Sequence, residues 1–348
     1  MKGGILMDKP FQRITILFYV GHSGYPLSRC IQLAKFLASH HILFLVNQKH
    51  TSVVESLRLK GIEPLLFSKH SDLESLLEDV QADVLITDGL DTDLEESKTF
   101  KKVIPTTIHF DDFGEGGKEA SRVIQTLYRE EREALPSNYV TGHSGFIVPD
   151  ELEPYAQLGL RPSQALPLPH IVVAFTEEDE DNLSYRTLRH LLHLQIPLAV
   201  TVLLHSNYRH KRDELKMMAL GRKQTRIIET DDFLQSISEC DMVICDARYT
   251  PYYVAVIGKP CIVIAQNEKE GLHGFPREHN GFVHLGLGRK LKQSHLQQAV
   301  MEFILHHNRS GKAVKKQLSL KLSSNNQNML RLIEKIIQEG SSEVTRNA

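Results

Sequence analysis

The sequence predicts an α/β protein built from two Rossmann-like parallel-sheet domains facing a cleft. Three observations predict it. Strand-length apolar runs alternate with helical stripes along most of the chain, and that alternation means parallel sheets with crossover helices. The chain has 348 residues, which at roughly 100–200 residues per domain is enough for two. Between the two alternating series lie Pro154, Pro162, Pro167 and Pro169, a composition that marks a linker. The expected division is an N-terminal domain over 1–155, a linker over 156–170 and a C-terminal domain over 171–348.

The first series opens with an apolar run at Ile14–Val20. A helix over Pro26–His40 follows, with Leu27, Cys30, Ile31, Ala34, Leu37 and Ala38 forming its stripe and Pro26 in its first turn. Next come a strand at Ile42–Val46, a helix near Ser52–Lys60 and a strand at Pro64–Phe67. Ser71-x-x-Glu74 has the form of a capping box that opens another helix. Strands at Val84–Asp88 and Thr107–Phe110 come next, and Val123–Leu127, Tyr139–Val140 and Gly145–Val148 are expected to finish the first sheet.

The second series has strands at Ile171–Phe175, Leu198–Leu204, Ile227–Glu229, Met242–Asp246, Cys261–Ala265 and Phe282–Leu285. Its helices are expected over Asn182–Leu194, Asp232–Cys240 and Ser294–His306, the last opened by Ser294-x-x-Gln297. A final helix over Asn326–Gln338 carries Leu330, Ile333, Ile336 and Ile337. These apolar side chains need a surface, which predicts that the helix returns to the first domain.

Composition excludes several function classes. Hydrophobic residues make up 41% and charged residues 24% of the chain, and the net charge is -2. A chain with no basic excess does not build a phosphate-backbone interface, so nucleic acid is not an expected partner. The longest apolar runs are far too short to cross a bilayer, and Met1–Arg13 lacks the apolar core of a signal peptide. Cys30, Cys240, Cys245 and Cys261 lie in apolar contexts and read as core residues of a reducing compartment, hence a cytoplasmic location. His190 and His193 stand three apart on a helix, but no third ligand follows at fixed spacing. No cofactor is expected.

Two Rossmann-like halves, a proline-rich linker and C-terminal helices look like the GT-B architecture. Particular stretches carry the resemblance further. They are Ser28–Ala34 after the first strand, Leu85-Ile86-Thr87-Asp88, Ile108–Asp112, Gly258-Lys259-Pro260-Cys261-Ile262-Val263-Ile264, and the Gly286-Leu287-Gly288 turn. In that order and spacing they resemble the PseG-type sugar-nucleotide hydrolases of pseudaminic acid synthesis. They are more similar still to the related SpsG-type proteins of spore coat polysaccharide biosynthesis. The resemblance spans about residues 14–338 and rests on framework positions. It implies an enzyme that removes UDP from a deoxyamino sugar. That enzyme would use a histidine in a Gly-x-Gly-His-x-x-Arg motif, and its glycine-rich turns and a following glutamate would hold the nucleotide.

The residues at those positions depart from the pattern. Arg29 matches the motif arginine, which puts Pro26 at the histidine position and Ser23 and Tyr25 at the glycines. Proline has no proton to exchange and cannot act as a general base. His22, in Gly21-His22-Ser23-Gly24, is either a group that reaches the cleft or a loop histidine in solvent. After Phe175, the expected glycine pair is replaced by Thr176 and the acids Glu177–Asp181. These acids would repel a phosphate, though some suit the start of the next helix. After Met242–Asp246, where the resemblance implies Gly-Gly-Ser and then a glutamate, the chain has Ala247-Arg248-Tyr249 and Tyr253. Arg248 has the donor fork to grip an anion, and Tyr249, Tyr252 and Tyr253 either stack on a ligand or pack in the core.

Asp88, Asp111 and Asp112 close strands of the first domain. They are either acid–base groups or turn and capping residues, and adjacent side chains on a strand point to opposite faces. Gly114-Glu115-Gly116-Gly117 is a weak phosphate-loop pattern without the following Lys-Ser/Thr. The candidate catalytic residues are therefore His22, Asp88 and Asp111. The candidate ligand-binding residues are Gly24, Arg29, Arg248, Tyr249, Thr250, Tyr253 and Glu270, and no metal is expected.

Three functions fit. One is a catalytically degenerate relative that serves as a partner or regulator in cell-surface or spore coat polysaccharide synthesis. The second is an active nucleotide-sugar hydrolase or glycosyltransferase with a rebuilt site, and the third is a binding module for another anionic sugar through Arg248 and the tyrosines. The expected ligand is a UDP-sugar or another anionic sugar. Three motifs lost together favour the first.

Overall fold

The computed structural model describes residues 13–129, 135–156, 168–176 and 178–347. The expected linker over 156–170 lies mostly outside the described residues. The chain forms two compact units. One gathers the described residues within 1–125, 136–140 and 330–348, and the other those within 126–135 and 141–329.

The first unit is a parallel sheet with the strand order β3-β2-β1-β4-β5-β6-β7. Its strands are β1 (Thr15–Val20), β2 (His41–Asn47), β3 (Leu65–Phe67), β4 (Val84–Asp88), β5 (Thr106–Phe110), β6 (Arg122–Gln125) and β7 (Tyr139–Thr141). The connecting helices are α1 (Tyr25–Phe36), α2 (Thr51–Leu59), α3 (His70–Val80) and α4 (Leu94–Val103). β1 and β4 are buried almost throughout, as expected of central parallel strands covered on both faces. One core cluster joins Leu17, Tyr19 and Leu85 to Leu73, Leu77 and Phe100 of α3 and α4.

The second unit repeats the plan with the order β10-β9-β8-β11-β12-β13. Its strands are β8 (His170–Phe175), β9 (Ala199–Leu204), β10 (Thr225–Glu229), β11 (Met242–Cys245), β12 (Cys261–Ala265) and β13 (Phe282–Leu287). Its helices are α5 (Leu183–Leu191), α6 (Arg212–Ala219), α7 (Leu234–Glu239), α8 (Thr250–Ile257), α9 (Glu268–Gly271), α10 (Gln293–Leu305) and α11 (His307–Ser319). The two Rossmann-like parallel sheets predicted from the sequence are thus present. In each unit the order reverses beside the first strand, so the fourth strand lies next to the first.

The last helix, α12 (Asn325–Asn347), begins within the second unit and ends within the first. Ile333, Ile336 and Ile337 are buried. Gly340 lets α12 approach β5 closely, since a Cβ there would stand 2.0 Å from the Thr106 hydroxyl. Among the described residues, no helix is long and apolar enough to cross a membrane.

Several local expectations are corrected. Gly145–Val148 is not a strand: His143–Gly145 is a short 3-10 turn and the following residues run as buried coil. Neither capping box forms at the serine. α3 starts at His70, and the Lys69 N–H donates to Asp72. α10 starts at Gln293, one residue before Ser294.

Candidate functional site

Open parallel sheets bind ligands beyond the C-terminal ends of their strands, and the candidate residues of each unit stand at those ends. In the first, Gly24 takes φ +75°, a left-handed conformation that glycine adopts at no steric cost, and α1 starts directly after it. That start points Arg29 inward. Its guanidinium is fully buried and donates from Nε and Nη2 to the two oxygens of Asp88, at 2.6 and 2.7 Å. Nη2 also reaches Asp111 at 2.8 Å. The Phe110 and Tyr25 rings lie 4.5 and 4.9 Å from the guanidinium carbon.

Burial works against the Arg29 charge, but Asp88 and Asp111 outweigh it and hold the group firmly protonated. Burial also raises the Asp88 carboxyl to about 6, with Arg29 opposing the rise and Asp111 adding to it. Three sequence candidates, Arg29, Asp88 and Asp111, therefore meet in one interior ion-pair cluster.

Asp111 and Asp112 do diverge. Asp111 has φ +49° and turns toward Arg29. Asp112 accepts from the Thr92 and Gly114 N–H groups, from the Thr92 hydroxyl, and pairs with His109 Nδ1. The glycines of 114–117 serve close packing: a Cβ on Gly114 would stand 2.0 Å from the Thr92 carbonyl oxygen. His22 is exposed, and its ring centre lies 6.1 Å from that of His50. Pro26 is buried in the first turn of α1.

In the second unit the turn after β8 has two left-handed residues, Asp179 at φ +49° and Asn182 at φ +52°. Asp179 is buried and accepts from the Leu183 and Ser184 N–H groups at 2.6 and 2.9 Å. It sits on the N-terminus of α5, the position at which a helix takes up an anion. Burial raises its carboxyl to about 6, against the hydrogen bonds that favour its ionised form. Of the acidic run 177–181, Glu177 lies outside the described residues.

The turn after β11 is built the same way. Asp246, fully buried, accepts from the Thr176 N–H and hydroxyl, the Arg248 N–H and the Thr250 hydroxyl, at 2.7–3.2 Å. Glu270, on α9, accepts through one oxygen from the Gln266 N–H at 2.8 Å and the Ala247 N–H at 3.3 Å. Burial first, then the neighbouring Asp246, pushes its carboxyl up to about 8. It is therefore mostly protonated at neutral pH. His273 Nδ1 lies 2.6 Å from the Ala247 carbonyl, and Gln266 donates to the Thr176 carbonyl.

The tyrosines separate. Tyr252 is fully buried, stacked between Phe146 at 4.6 Å and Phe275 at 3.6 Å, and its hydroxyl donates to the Thr126 carbonyl. It belongs to the core. Tyr253 is half-buried and meets Phe146 edge-on, whereas Tyr249 lies 5.7 Å from the Arg248 guanidinium carbon.

Sequence reasoning named Asp88, Asp111 and Arg29 singly and missed their union. It also missed the roles of Asp179 and Asp246. A signal for the last existed, because Leu85-Ile86-Thr87-Asp88 and Val243-Ile244-Cys245-Asp246 are apolar fourth strands that each run into an aspartate. In both units that aspartate is buried beside the first strand.

No family model matches this chain. A curated protein of Methanocaldococcus jannaschii, named only as uncharacterized, is 22% identical over 263 residues, which is 72% of this chain. The chain spans about half of that relative's length, 53%. MurG of Acinetobacter baumannii superposes with a TM-score of 0.65 at 14% identity, over 92% of this chain and 99% of that one. The UDP-GlcNAc 2-epimerase of Neisseria meningitidis, solved with UDP-GlcNAc bound, gives 0.61 at 12% identity over 92% and 100%. A calicheamicin glycosyltransferase gives 0.60 at 10% identity over 94% and 99%. The fold is thus the GT-B fold found in glycosyltransferases and UDP-GlcNAc 2-epimerases. At these identities the likeness is one of fold, and function has to be argued from the site.

Proposed function

We propose that this chain is a catalytically degenerate member of the sugar-nucleotide GT-B proteins, close to the PseG and SpsG type. It would act as a partner to other proteins in cell-surface or spore coat polysaccharide synthesis. One observation carries the reading: the protein's own carboxylates occupy the strand-end groups that would otherwise meet an anion. Asp88 and Asp111 take up Arg29. Asp179 takes the first N–H groups of α5, and Asp246 with Glu270 takes those of the 247–248 turn. Pro26 adds the loss of a general base, a contribution of typically ~10²–10⁴-fold.

The competing reading, an active hydrolase or glycosyltransferase with a rebuilt site, would rest on Arg248 and Tyr249 for the ligand and on His22 for the proton. A thermal-shift screen of nucleotides and UDP-sugars separates the two. A ligand at a hundred times its dissociation constant stabilises by about 2.7 kcal/mol. The degenerate reading expects no such rise with any UDP-sugar and no UDP release. Robust UDP release that His22→Ala abolishes would overturn it and assign His22 as the base.

A further inference from the structure

The chain has a net charge of -2, but its cations are not spread evenly. Residues 303–329 hold Arg309, Lys312, Lys315, Lys316 and Lys321 and no aspartate or glutamate. Four of these cations lie on α11. Arg309, Lys312 and Lys316 follow one another at spacings of three and four residues, which puts them on one helix face, with Lys315 three after Lys312. Asn308 and Ser319 complete the same arc, and all six side chains are exposed. The opposite face is the packed one, with Val314 and Gln317 buried and Ala313 and Leu318 half-buried. Arg309 pairs with Glu302 at 2.7 Å, and Lys316 donates to the Glu278 carbonyl at 2.9 Å. Among the described residues, the Lys312 and Lys315 side chains make no ion pair or hydrogen bond. Leu305, two residues before α11, is 63% exposed.

We propose that the exposed face of α11 adsorbs the protein to the surface of an anionic lipid bilayer. The make-up of the arc selects that occupant. It is rich in lysine and has no apolar or aromatic side chain, whereas protein interfaces are depleted in lysine and centre on aromatic or arginine anchors. A single nucleic-acid strand needs aromatic platforms for its bases, and the arc has none. A plane of anionic head groups needs only positive charge held close to it, and each lysine or arginine there raises partitioning about fivefold. Leu305 adds an exposed apolar side chain at the start of the basic helix, the combination found on helices that lie on a membrane. The adsorption holds whether the strand ends are closed or rebuilt, because none of these residues belongs to them.

The test sediments the purified full chain with vesicles of phosphatidylglycerol and phosphatidylcholine in equal parts, and with vesicles of phosphatidylcholine alone, at low salt. Four cations predict half-binding on the order of 1 mM anionic lipid. Neutral vesicles should leave the protein in the supernatant, and raising the salt to about 0.5 M should release it from the anionic ones. The double variant Lys312→Gln/Lys315→Gln, checked for wild-type circular dichroism, should partition about 30-fold more weakly. Lys60→Gln/Lys211→Gln removes the same net charge at exposed positions elsewhere and should change partitioning by less than about twofold. Equal sedimentation with neutral vesicles, equal losses in the two double variants, or binding that survives the salt would overturn the assignment. So would tighter binding of a short DNA duplex or of polyglutamate than of the anionic vesicles, which would give the face to another class of partner.

Discussion

Replacing Glu270 by glutamine should make the protein less sensitive to alkaline pH. The Glu270 carboxyl titrates at about 8 rather than the ordinary 4.5, chiefly because it is buried and secondarily because Asp246 is near. Between those values the folded protein holds a proton that the unfolded chain has released. Stability therefore falls as pH rises through that window. At about 1.36 kcal/mol per pKa unit, ionising Glu270 in place costs on the order of 5 kcal/mol in full. Part of that is already felt at pH 6, because the unfolded chain is ionised there, and roughly 2–3 kcal/mol remains to be lost between pH 6 and pH 9. Glutamine copies the protonated form. A single Glu270 oxygen accepts both N–H groups, so the amide oxygen can replace it. Urea unfolding of both proteins, followed by far-ultraviolet circular dichroism, should therefore show the variant gaining on wild type by roughly 2–3 kcal/mol from pH 6 to pH 9. Asp88 and Asp179 titrate at about 6, are present in both proteins and cancel in the difference. Parallel pH profiles for the two proteins would refute the reasoning.

Arg29→Met should destabilise the first unit by about 3–5 kcal/mol, the cost of leaving buried charge without its partner. Arg29→Met/Asp88→Asn/Asp111→Asn should recover part of that loss, and urea midpoints measure both. Tyr252→Phe keeps the stack between Phe146 and Phe275 and loses the hydroxyl's bond to the Thr126 carbonyl. It should cost about 1 kcal/mol, while Tyr252→Ala should cost about 3–5 kcal/mol, both read from thermal unfolding. Asp179→Ala removes the cap from α5 and should cost about 1–2 kcal/mol. Slower hydrogen exchange at Leu183 and Ser184 in that variant would count against the role given to Asp179.

The two sheets were legible because their strands are apolar runs closed by polar turns, as at Val84–Asp88. Helices that break the simple pattern were not. α8, Thr-Pro-Tyr-Tyr-Val-Ala-Val-Ile, is buried on nearly every side, so it has no polar stripe to reveal its period. α4 carries mainly charged and polar residues and buries only Ser97 and Phe100. In the site, residue types were legible and their partners were not. Arg29 lies 59 residues from Asp88 and 82 from Asp111, and only the order β1-β4-β5 brings them together. The tyrosines divide for a similar reason. Tyr252 and Tyr253 are neighbours in sequence, but the turn of α8 sends one into the core and leaves the other at its edge.

The central claim is that internal carboxylates have closed the strand ends to anionic ligands, and calorimetric titration of the wild-type protein with UDP at neutral pH tests it most directly. The account predicts no saturable heat at millimolar UDP, with or without a sugar attached. A saturable isotherm that Arg248→Ala weakens by about 1.5–3 kcal/mol would contradict it and place a working nucleotide site at the 246–250 turn.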